Sequence, residues 1–246
     1  MILVCILLPF IAGALIPVIK WKKRSLMELY IEAMVILNSL FVWQVILGVD
    51  HMPHTVVNFA GGLNITFCAD GLGMIFAGLV SILWPLATLY AFEYMTKEEH
   101  ETVFFMFYTM TYGVTLGIAF ADNILTMYFF YELLTIITVP LVMHTLTRKA
   151  VLAGRKYMYY SLGGAAFAFI GMIFVIIYGI TPEFTLGGVL DMTRVGDKTN
   201  VLLLIYVLAF MGFGVKAAVC PFNSWLPDAG VAPTPVTALL HAVAVV

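Results

Sequence analysis

The chain has 246 residues, of which 63% are hydrophobic and only 11% are charged, and its mean hydropathy is +1.04. A soluble globular domain carries about 25% charged residues, so this chain holds too few polar groups to cover a water-exposed surface. Its net charge of −2 is small and its basic residues form no stripe, which argues against a nucleic-acid partner. The composition therefore predicts an all-α, multi-pass membrane protein whose main solvent is lipid.

Apolar segments of about 20 residues, the length that crosses a bilayer, recur along the chain. The first segment carries its basic residues after the apolar run, unlike a secretory signal, so we interpret it as a retained span. A loop of mixed polarity occupies 49–70, and the stretch FTLGGVLDM in the loop 181–200 could form a short interfacial helix. We predict seven spans, at 2–19, 27–48, 71–94, 103–121, 124–145, 157–178 and from about 201, and an incomplete eighth. The sixth span could begin earlier, within the polar stretch before residue 157.

A dense proline cluster, PFNSWLPDAGVAPTP, interrupts the chain after the seventh span. Proline removes a backbone donor and clashes with the preceding turn, so no regular helix continues through this stretch. Irregular backbone at membrane depth requires cover from protein or water, and broken helices are common at transport sites. An ordinary surface loop between two spans is an equal alternative. The residues expected to shape the break are Pro221, Trp225, Pro227, Pro233 and Pro235.

Basic residues are unequally divided between the two sets of loops. If the N-terminus lies outside, nine of them fall in cytoplasmic loops, two fall in outside loops, and Lys216 lies within a span. Cytoplasmic loops of membrane proteins carry an excess of lysine and arginine. We therefore predict that the N-terminus faces the outside. The membrane that we expect is the cytoplasmic membrane of a prokaryote.

Glu132 lies eight residues into the fifth predicted span, about 12 Å deep at 1.5 Å of rise per residue. A charge at the bilayer centre costs about 2.5–3.5 kcal/mol, and a carboxylate there is protonated unless a basic partner stabilises its charge. A group balanced between these two effects can load and release a proton. Glu132 is therefore a candidate proton-pathway residue, with a structural glutamate bound to a neighbouring helix as the alternative.

Lys216 lies deep in the seventh span, shortly before the proline cluster. Burial disfavours the charged form of lysine, which suits this residue to pass a proton on. The alternative is that its side chain extends to the membrane interface. Gly212 and Gly214 on the same span indicate close contact with another helix.

The remaining ionisable residues of the spans have less specific interpretations. Lys156 opens the sixth span, where a lysine is more often a rim anchor, and His241, in the unfinished eighth helix, could relay protons or simply pack. Glu28 and Glu32 share one face of the second span near its rim, where we expect water to solvate both. His144, at the end of the fifth span, has a similarly ordinary interpretation.

Motifs of soluble catalysis are missing from the sequence, including the nucleophile elbow, zinc-binding HExxH, phosphate-binding glycine loops and the dinucleotide fingerprint. Cys5, Cys68 and Cys220 are isolated from one another, so a metal or redox cluster is not expected. We therefore expect no cofactor and no redox chemistry in this chain.

Three stretches resemble the antiporter-like subunits of respiratory complex I. ADNILTMYFFYELLTIITVPLV is similar to the region of their fourth and fifth helices, and DGLGMIFAGLVSILWPLATLYAFEYM to their third. FMGFGVKAAVCPFNSWLPDAGVAPTPVTALLHA is similar to their seventh and eighth, with a lysine, a proline, WLPDA, APTPV and a histidine in the family's order. The resemblance extends over nearly the whole chain. The same family includes subunits of multisubunit cation/proton antiporters and of membrane-bound hydrogenases.

This resemblance implies a fold of about fourteen helices with two inverted repeats, each forming a half-channel around a broken helix. Residues 1–102 would form the N-terminal helices 1–3, and residues 103–246 part of the first repeat, helices 4–8, truncated in helix 8. Only 14 residues remain from Pro233 to the end, too few to cross a bilayer. We therefore expect a fragment or one piece of a split protein, with the other half supplied by another membrane subunit.

By position, the resemblance assigns proton-pathway roles to Glu132, Lys156, Lys216 and His241, and none to Asn223, where many members have histidine. The implied function is a proton-translocating, non-redox subunit of an NADH–quinone oxidoreductase-like or membrane-bound hydrogenase complex. In one state Glu132 would pair with Lys156 or Lys216. The alternatives are a subunit of a multisubunit Na+/H+ antiporter and a truncated scaffold without transport of its own. The expected partners are the lipid bilayer, protons or Na+, and other membrane subunits.

Overall fold

The computed structural model describes residues 1–48, 52–59, 63–185 and 187–244. Within these ranges the chain is a bundle of helices with one β-hairpin, and six helices are long and apolar enough to cross a membrane. The helices are α1 (Ile2–Leu15), α2 (Arg24–Ile46), α3 (Gly71–Met95), α4 (Glu101–Ala119), α5 (Ile124–Val142), α6 (Arg148–Tyr178), α7 (Met192–Val195), α8 (Thr199–Lys216), α9 (Trp225–Ala229) and α10 (Thr234–Leu239). The predicted all-α, multi-pass membrane bundle is confirmed.

The first predicted span is shorter than expected. α1 ends at Leu15, four residues before the predicted boundary at residue 19. The indole N–H of Trp21 donates to the carbonyl oxygen of Ile16 at 2.8 Å, so a side chain satisfies this carbonyl in place of a further helical turn.

The sixth span begins within the preceding polar stretch, the earlier of the two starts that the sequence allowed. α6 begins at Arg148, nine residues before the predicted boundary at residue 157. Thr147 starts it, because its hydroxyl accepts a hydrogen bond from the Ala150 N–H at 3.2 Å and caps the first turn. Lys156 therefore lies two turns inside the helix instead of at its rim.

The loop predicted over 49–70 contains a β-hairpin. β1 (His54–Asn58) and β2 (Asn64–Phe67) pair antiparallel. β2 is fixed to the bundle at the α4–α5 connection, since the Asp122 N–H donates to the Thr66 carbonyl oxygen at 3.1 Å. Residues 49–51 and 60–62, also in the predicted loop, lie outside the described residues.

The helix predicted for FTLGGVLDM is wrong. Gly187 and Gly188 adopt positive φ values of 93° and 94°, a conformation that interrupts a right-handed helix. A single turn, α7, starts directly after Asp191, whose side chain accepts from the Thr193 N–H at 2.9 Å. Leu186 of this stretch lies outside the described residues.

Polar contacts between helix ends and connecting loops close one end of the bundle. Arg24 at the start of α2 donates to Glu101 of α4 at 2.8 Å and to the Phe92 carbonyl oxygen of α3 at 2.6 Å. His144, after α5, is buried, and its Nε2 lies 2.9 Å from the Glu99 carbonyl oxygen. His144 is therefore part of the packed end of the bundle, where the sequence indicated only an ordinary position.

The opposite end joins the hairpin to the connections after α4 and α6. Phe67 of β2 forms a bridge with Ala121, and Asn123 forms one with Glu183. The connections thus alternate between the two ends along the chain, as the predicted spans require. The prediction that the N-terminal end faces outside remains a prediction.

α6 and α8 pack with their backbones in close contact. A Cβ atom added to Gly164 would lie 2.7 Å from the Gly212 carbonyl oxygen, and one added to Gly212 would lie 2.6 Å from the Gly164 carbonyl oxygen. Small residues permit such approach between membrane helices. The close contact expected at Gly212 is confirmed, and it holds α8 at the depth where its last residue, Lys216, meets α5. The contact expected at Gly214 is not with another helix, since the nearest atoms belong to Val219 in the turn after α8.

The predicted break after the seventh span is confirmed. α8 ends at Lys216, and the chain turns through Ala218, which has a positive φ of 50°. The Val219 N–H donates to the Gly214 carbonyl oxygen at 2.9 Å, which closes the helix end. Trp225 reaches back to donate from its indole to the Val215 carbonyl oxygen at 2.8 Å. A 3₁₀ turn (Phe222–Ser224), α9, α10 and a π-helical turn (Leu240–Ala244) follow.

The contact between α6 and α8 can be tested with neighbouring glycines. We expect Gly164→Ala to lower the melting temperature of the purified protein, because its Cβ would overlap the Gly212 backbone. Gly163→Ala is the matched control, since a Cβ there meets nothing within 4 Å, and we expect it to stabilise α6 by about 0.5–1 kcal/mol. Differential scanning fluorimetry in detergent measures both changes. Equal melting temperatures for the two variants would contradict this packing.

Candidate proton-transfer site

Lys216 is a buried amine at the end of the broken helix, with only 3% of its surface exposed. Its Nζ donates to the Tyr131 carbonyl oxygen at 2.7 Å and to the Thr135 hydroxyl oxygen at 2.6 Å. It also lies 4.1 Å from the centroid of the Tyr131 ring, whose face attracts a cation. The alternative in which Lys216 extends to the interface is therefore wrong.

The local folding of both helices explains why Lys216 reaches these groups. Tyr131 and Thr135 are four residues apart on α5, so they share one face, and that face points to the end of α8. α8 stops at Lys216, so the lysine lies where the helix backbone turns away. The direct partners of the ammonium group are neutral oxygens, which stabilise it without an adjacent counter-charge.

Glu132 lies next to Tyr131 on α5 and is half-buried. Its Oε1 accepts a hydrogen bond from the Tyr128 hydroxyl at 3.1 Å. The same hydroxyl lies 3.1 Å from the Ala165 carbonyl oxygen of α6, so its single proton is shared between two acceptors. Glu132 is thus tied to a neighbouring helix through Tyr128.

The expected ion pair of Glu132 with a lysine is not formed in the described part of the chain. The carboxylate is close enough to Lys216 to act on it electrostatically, but their charged atoms are not within 4.0 Å. The arrangement therefore corresponds to an open state of the hypothesised Glu132–Lys216 pair.

Lys156 binds a different carboxylate. Its Nζ donates to Asp228 Oδ2 at 2.6 Å and to the Ser224 carbonyl oxygen at 3.0 Å. Sequence analysis missed Asp228, although the residue lies in the WLPDA motif, because the partners are 72 positions apart and no local pattern connects them. This pair joins α6 to the segment that follows the break.

Hydroxyl groups continue from Lys216 along the α5–α6 interface. Thr138, one turn after Thr135, forms a hydrogen bond of 2.8 Å between its hydroxyl and that of Tyr157 on α6. The hydroxyls of Ser161 and Tyr131 are buried and have no hydrogen-bond partner of good geometry among the described residues, although Ser161 lies close to the Tyr157 hydroxyl. Such unpaired groups favour bound water, so this interface can support a hydrogen-bonded chain between the surroundings of Lys216 and Tyr157.

His241 is not part of this arrangement. It lies in the π-helical turn after α10, is exposed, and its Nδ1 lies 2.8 Å from the Thr237 carbonyl oxygen. The structure therefore places Glu132 within electrostatic range of Lys216, joins Lys156 to Asp228, and leaves His241 apart from both within the described ranges.

An acidic cavity of about 530 Å³ opens at the N-terminal end of α5. Asp70 and Glu183 line it beside Ile124. Burial, reinforced by the negative charges of Glu183 and Asp70, raises the pKa of nearby Asp122 above its ordinary value. Glu132 lies about 12 Å further along α5, so the cavity and the candidate site are about two turns of the same helix apart.

Comparison with known proteins identifies the family. The family model described as "NADH:quinone oxidoreductase/Mrp antiporter, TM" matches residues 121–246. A Na(+)/H(+) antiporter subunit from Alkalihalophilus pseudofirmus is 33% identical over 187 residues, 75% of this chain and 23% of that protein. Another Na(+)/H(+) antiporter subunit, from Staphylococcus aureus, is 27% identical over 99% of this chain and 31% of that protein.

A solved structure shares the fold. A chain of the membrane-bound sulfane sulfur reductase, an archaeal respiratory membrane complex, superposes with a TM-score of 0.76 and 23% identity. The match covers 99% of this chain and 50% of that one, so the sequence spans half the length of its structural relative and less of the curated relatives. The chain belongs to the membrane-subunit family of NADH:quinone oxidoreductases and Mrp antiporters.

Proposed function

We propose that this chain is a proton-translocating subunit of a multisubunit membrane complex, with Lys216 as its central proton carrier. The observation that carries the proposal is the burial of the Lys216 amine against neutral acceptors, with the Glu132 carboxylate near but unpaired. Burying an ionisable group in this way inside a membrane costs free energy, and such a group usually marks an ion path.

The proposed step depends on the distance between Glu132 and Lys216. When the pair closes, the carboxylate stabilises the ammonium ion and the proton stays on the lysine. Separating an ion pair from contact changes its energy by about 4 kcal/mol at an effective dielectric constant of 20. In the open arrangement that energy is lost, so Lys216 releases its proton more readily to the hydroxyls and waters around Thr135.

A second proton-transfer step takes place at Lys156. Its partner Asp228 belongs to the segment after the break, so movement of that segment changes the charge next to Lys156. The hydroxyls of Thr138 and Tyr157 lie between the two lysine regions along α5 and α6. We propose that a proton passes between these regions when one pair closes and the other opens. His241 has no described contact with either pair, and only its position in the family motif supports it as the acceptor toward the other half of the channel.

The described helices form the first half of a larger membrane unit. In this proposal residues 1–102 form the supporting N-terminal helices, and residues 103–246 form part of one proton-channel repeat. The N-terminus faces outside, and the acidic cavity beside Asp70 and Glu183 opens to the same side. The second half-channel lies outside residues 1–246, and other membrane subunits complete the complex.

The parent complex is one of two kinds. The shared fold with a chain of an archaeal respiratory complex supports a redox-driven proton pump, which is the function we favour. The similarity to subunits of Na(+)/H(+) antiporters supports a Na+/H+ antiporter instead. Membrane vesicles that contain the assembled complex distinguish the two kinds. In a redox-driven pump the addition of an electron donor generates a pH gradient, whereas in an antiporter an imposed Na+ gradient generates it. A chain that only supports other subunits leaves proton flux unchanged when its lysines are replaced.

Replacing the central lysine tests the proposal directly. We expect Lys216→Ala to abolish proton translocation by the assembled complex in vesicles, because no other amine contacts Thr135 among the described residues. Lys149→Ala, which removes an exposed lysine at the start of α6, is the matched control and should translocate normally. Fluorescence quenching of a pH-sensitive dye measures both. Normal translocation by Lys216→Ala would end the proposal.

The pair between Lys156 and Asp228 has a separate test. We expect Asp228→Asn to slow translocation while Asp228→Glu retains it, since only the first removes the charge. Lys156 and Asp228 are 33% and 54% exposed, so the pair contributes at most about 1 kcal/mol to stability and the variant should still assemble. Asp191→Asn, which breaks the Asp191–Arg194 pair near α7, is the control. Equal rates for Asp228→Asn and this control would exclude Asp228 from the pathway.

A further inference from the structure

The interior between α2, α3 and α4 contains polar side-chain atoms that have no partner within the described ranges. Asn38 of α2 is 0% exposed, and neither atom of its side-chain amide has a hydrogen-bond partner of good geometry among the described residues, although the amide lies close to the Tyr112 hydroxyl. Trp84 of α3 is 5% exposed, and its indole nitrogen is likewise unpaired in the described part of the chain. Each such group costs about 1–3 kcal/mol when it is left without a hydrogen bond.

A carboxyl group belongs to the same region. Glu32, on α2, is partly exposed but has a buried Oε2 atom that lacks a hydrogen bond within the described part of the chain, so the predicted solvation does not extend to this oxygen. Glu28, one turn earlier, forms an ion pair of 3.2 Å with Arg24 instead. Glu32 therefore differs from its neighbour in having no described basic partner.

Aromatic hydroxyls connect these groups along α4. The Trp84 ring stacks on Tyr112 at 4.9 Å and lies 5.4 Å from Tyr108. The Tyr112 hydroxyl forms a hydrogen bond of 2.9 Å with Ser39, the residue after Asn38. One turn away, the Tyr108 side chain lies within electrostatic range of the Glu32 carboxylate.

We propose that these residues line a file of bound water molecules, separate from the hydrogen-bonded chain near Lys216. This water connects Asn38 and Trp84 to Glu32, and Glu32 takes up a proton from it. We name it the α2–α4 file, and its members are Glu32, Asn38, Ser39, Trp84, Tyr108 and Tyr112. A hydronium ion in the file transfers its proton to the Glu32 carboxylate, which leaves a neutral carboxylic acid and a water molecule.

The spacing of the file favours water over a single bound ion. Glu32 and Asn38 are six residues apart, about 9 Å along α2, which is too far for one cation to bind both. A buried water makes about three hydrogen bonds to groups that would otherwise be unpaired. The amide of Asn38 and the indole of Trp84 together offer both donors and an acceptor.

The file is separate from the site at Lys216. Its members lie on α2, α3 and α4, whereas Lys216 contacts α5 from the end of α8. The two proposals are therefore independent, and either can fail without the other.

Radiolytic hydroxyl-radical footprinting of the assembled complex in nanodiscs tests the hydration. Radicals generated from bound water modify adjacent buried side chains, and mass spectrometry locates them. We expect Trp84 and Tyr112 to be modified despite their burial, and Asn38→Leu, similar in size but apolar, to lower this modification. Trp225, whose indole is hydrogen-bonded, should be unaffected by Asn38→Leu. Equal modification of Trp84 and Tyr112 with and without the substitution would overturn the proposal.

Infrared difference spectroscopy tests the proton acceptor. We expect a pH change to produce a carboxylic-acid carbonyl band that Glu32→Gln removes, while Glu28→Gln, a matched change one turn away, keeps it. Lys216→Ala should also keep the band, because the file does not pass through that lysine. A band that survives Glu32→Gln would show that Glu32 takes up no proton, whatever the outcome at Lys216.

Discussion

The arrangement of the bundle around its site depends on one interaction, the contact of the buried Lys216 ammonium with neutral oxygens of α5. A carbonyl oxygen and a hydroxyl oxygen bind it, and an aromatic face lies 4.1 Å away. An adjacent carboxylate would bind this proton more strongly, whereas a wholly apolar pocket would exclude it. Neutral acceptors fall between these extremes, so a moderate change in the surrounding charge can decide whether the proton stays.

Helix packing and the interruption of the helix after Lys216 together hold this contact. The close backbone approach at Gly164 and Gly212 fixes α8 against α6, and the turn at Ala218 ends α8 where its last side chain meets α5. Trp225 then binds the carbonyl oxygen of Val215 and stabilises the broken end. A continuous α8 would extend the backbone past this point, so the break is what brings the lysine and the following polar segment to the same depth.

Local features of the sequence were enough to predict much of this. Apolar length predicted the spans, the prolines predicted the break, and Lys216 was identified because a charge within an apolar span needs an explanation. The partner of Lys156 could not be predicted, because an ion pair between positions 156 and 228 depends on how α6 packs against the segment after the break. The burial of Glu32 could not be predicted for the same reason. In the sequence it lies one turn after Glu28 on the same face, and only the packing of α2, α3 and α4 distinguishes the buried oxygen of Glu32 from the ion-paired Glu28.

Direct observation of the protonation state of Lys216 is the most decisive measurement. Solid-state nitrogen NMR of the assembled complex, with labelled lysine and Lys216→Arg for assignment, distinguishes an ammonium from a neutral amine. We predict that the Lys216 signal alternates between the two forms when the complex is energised. A lysine that remains an ammonium ion in both resting and energised complex would contradict the central claim.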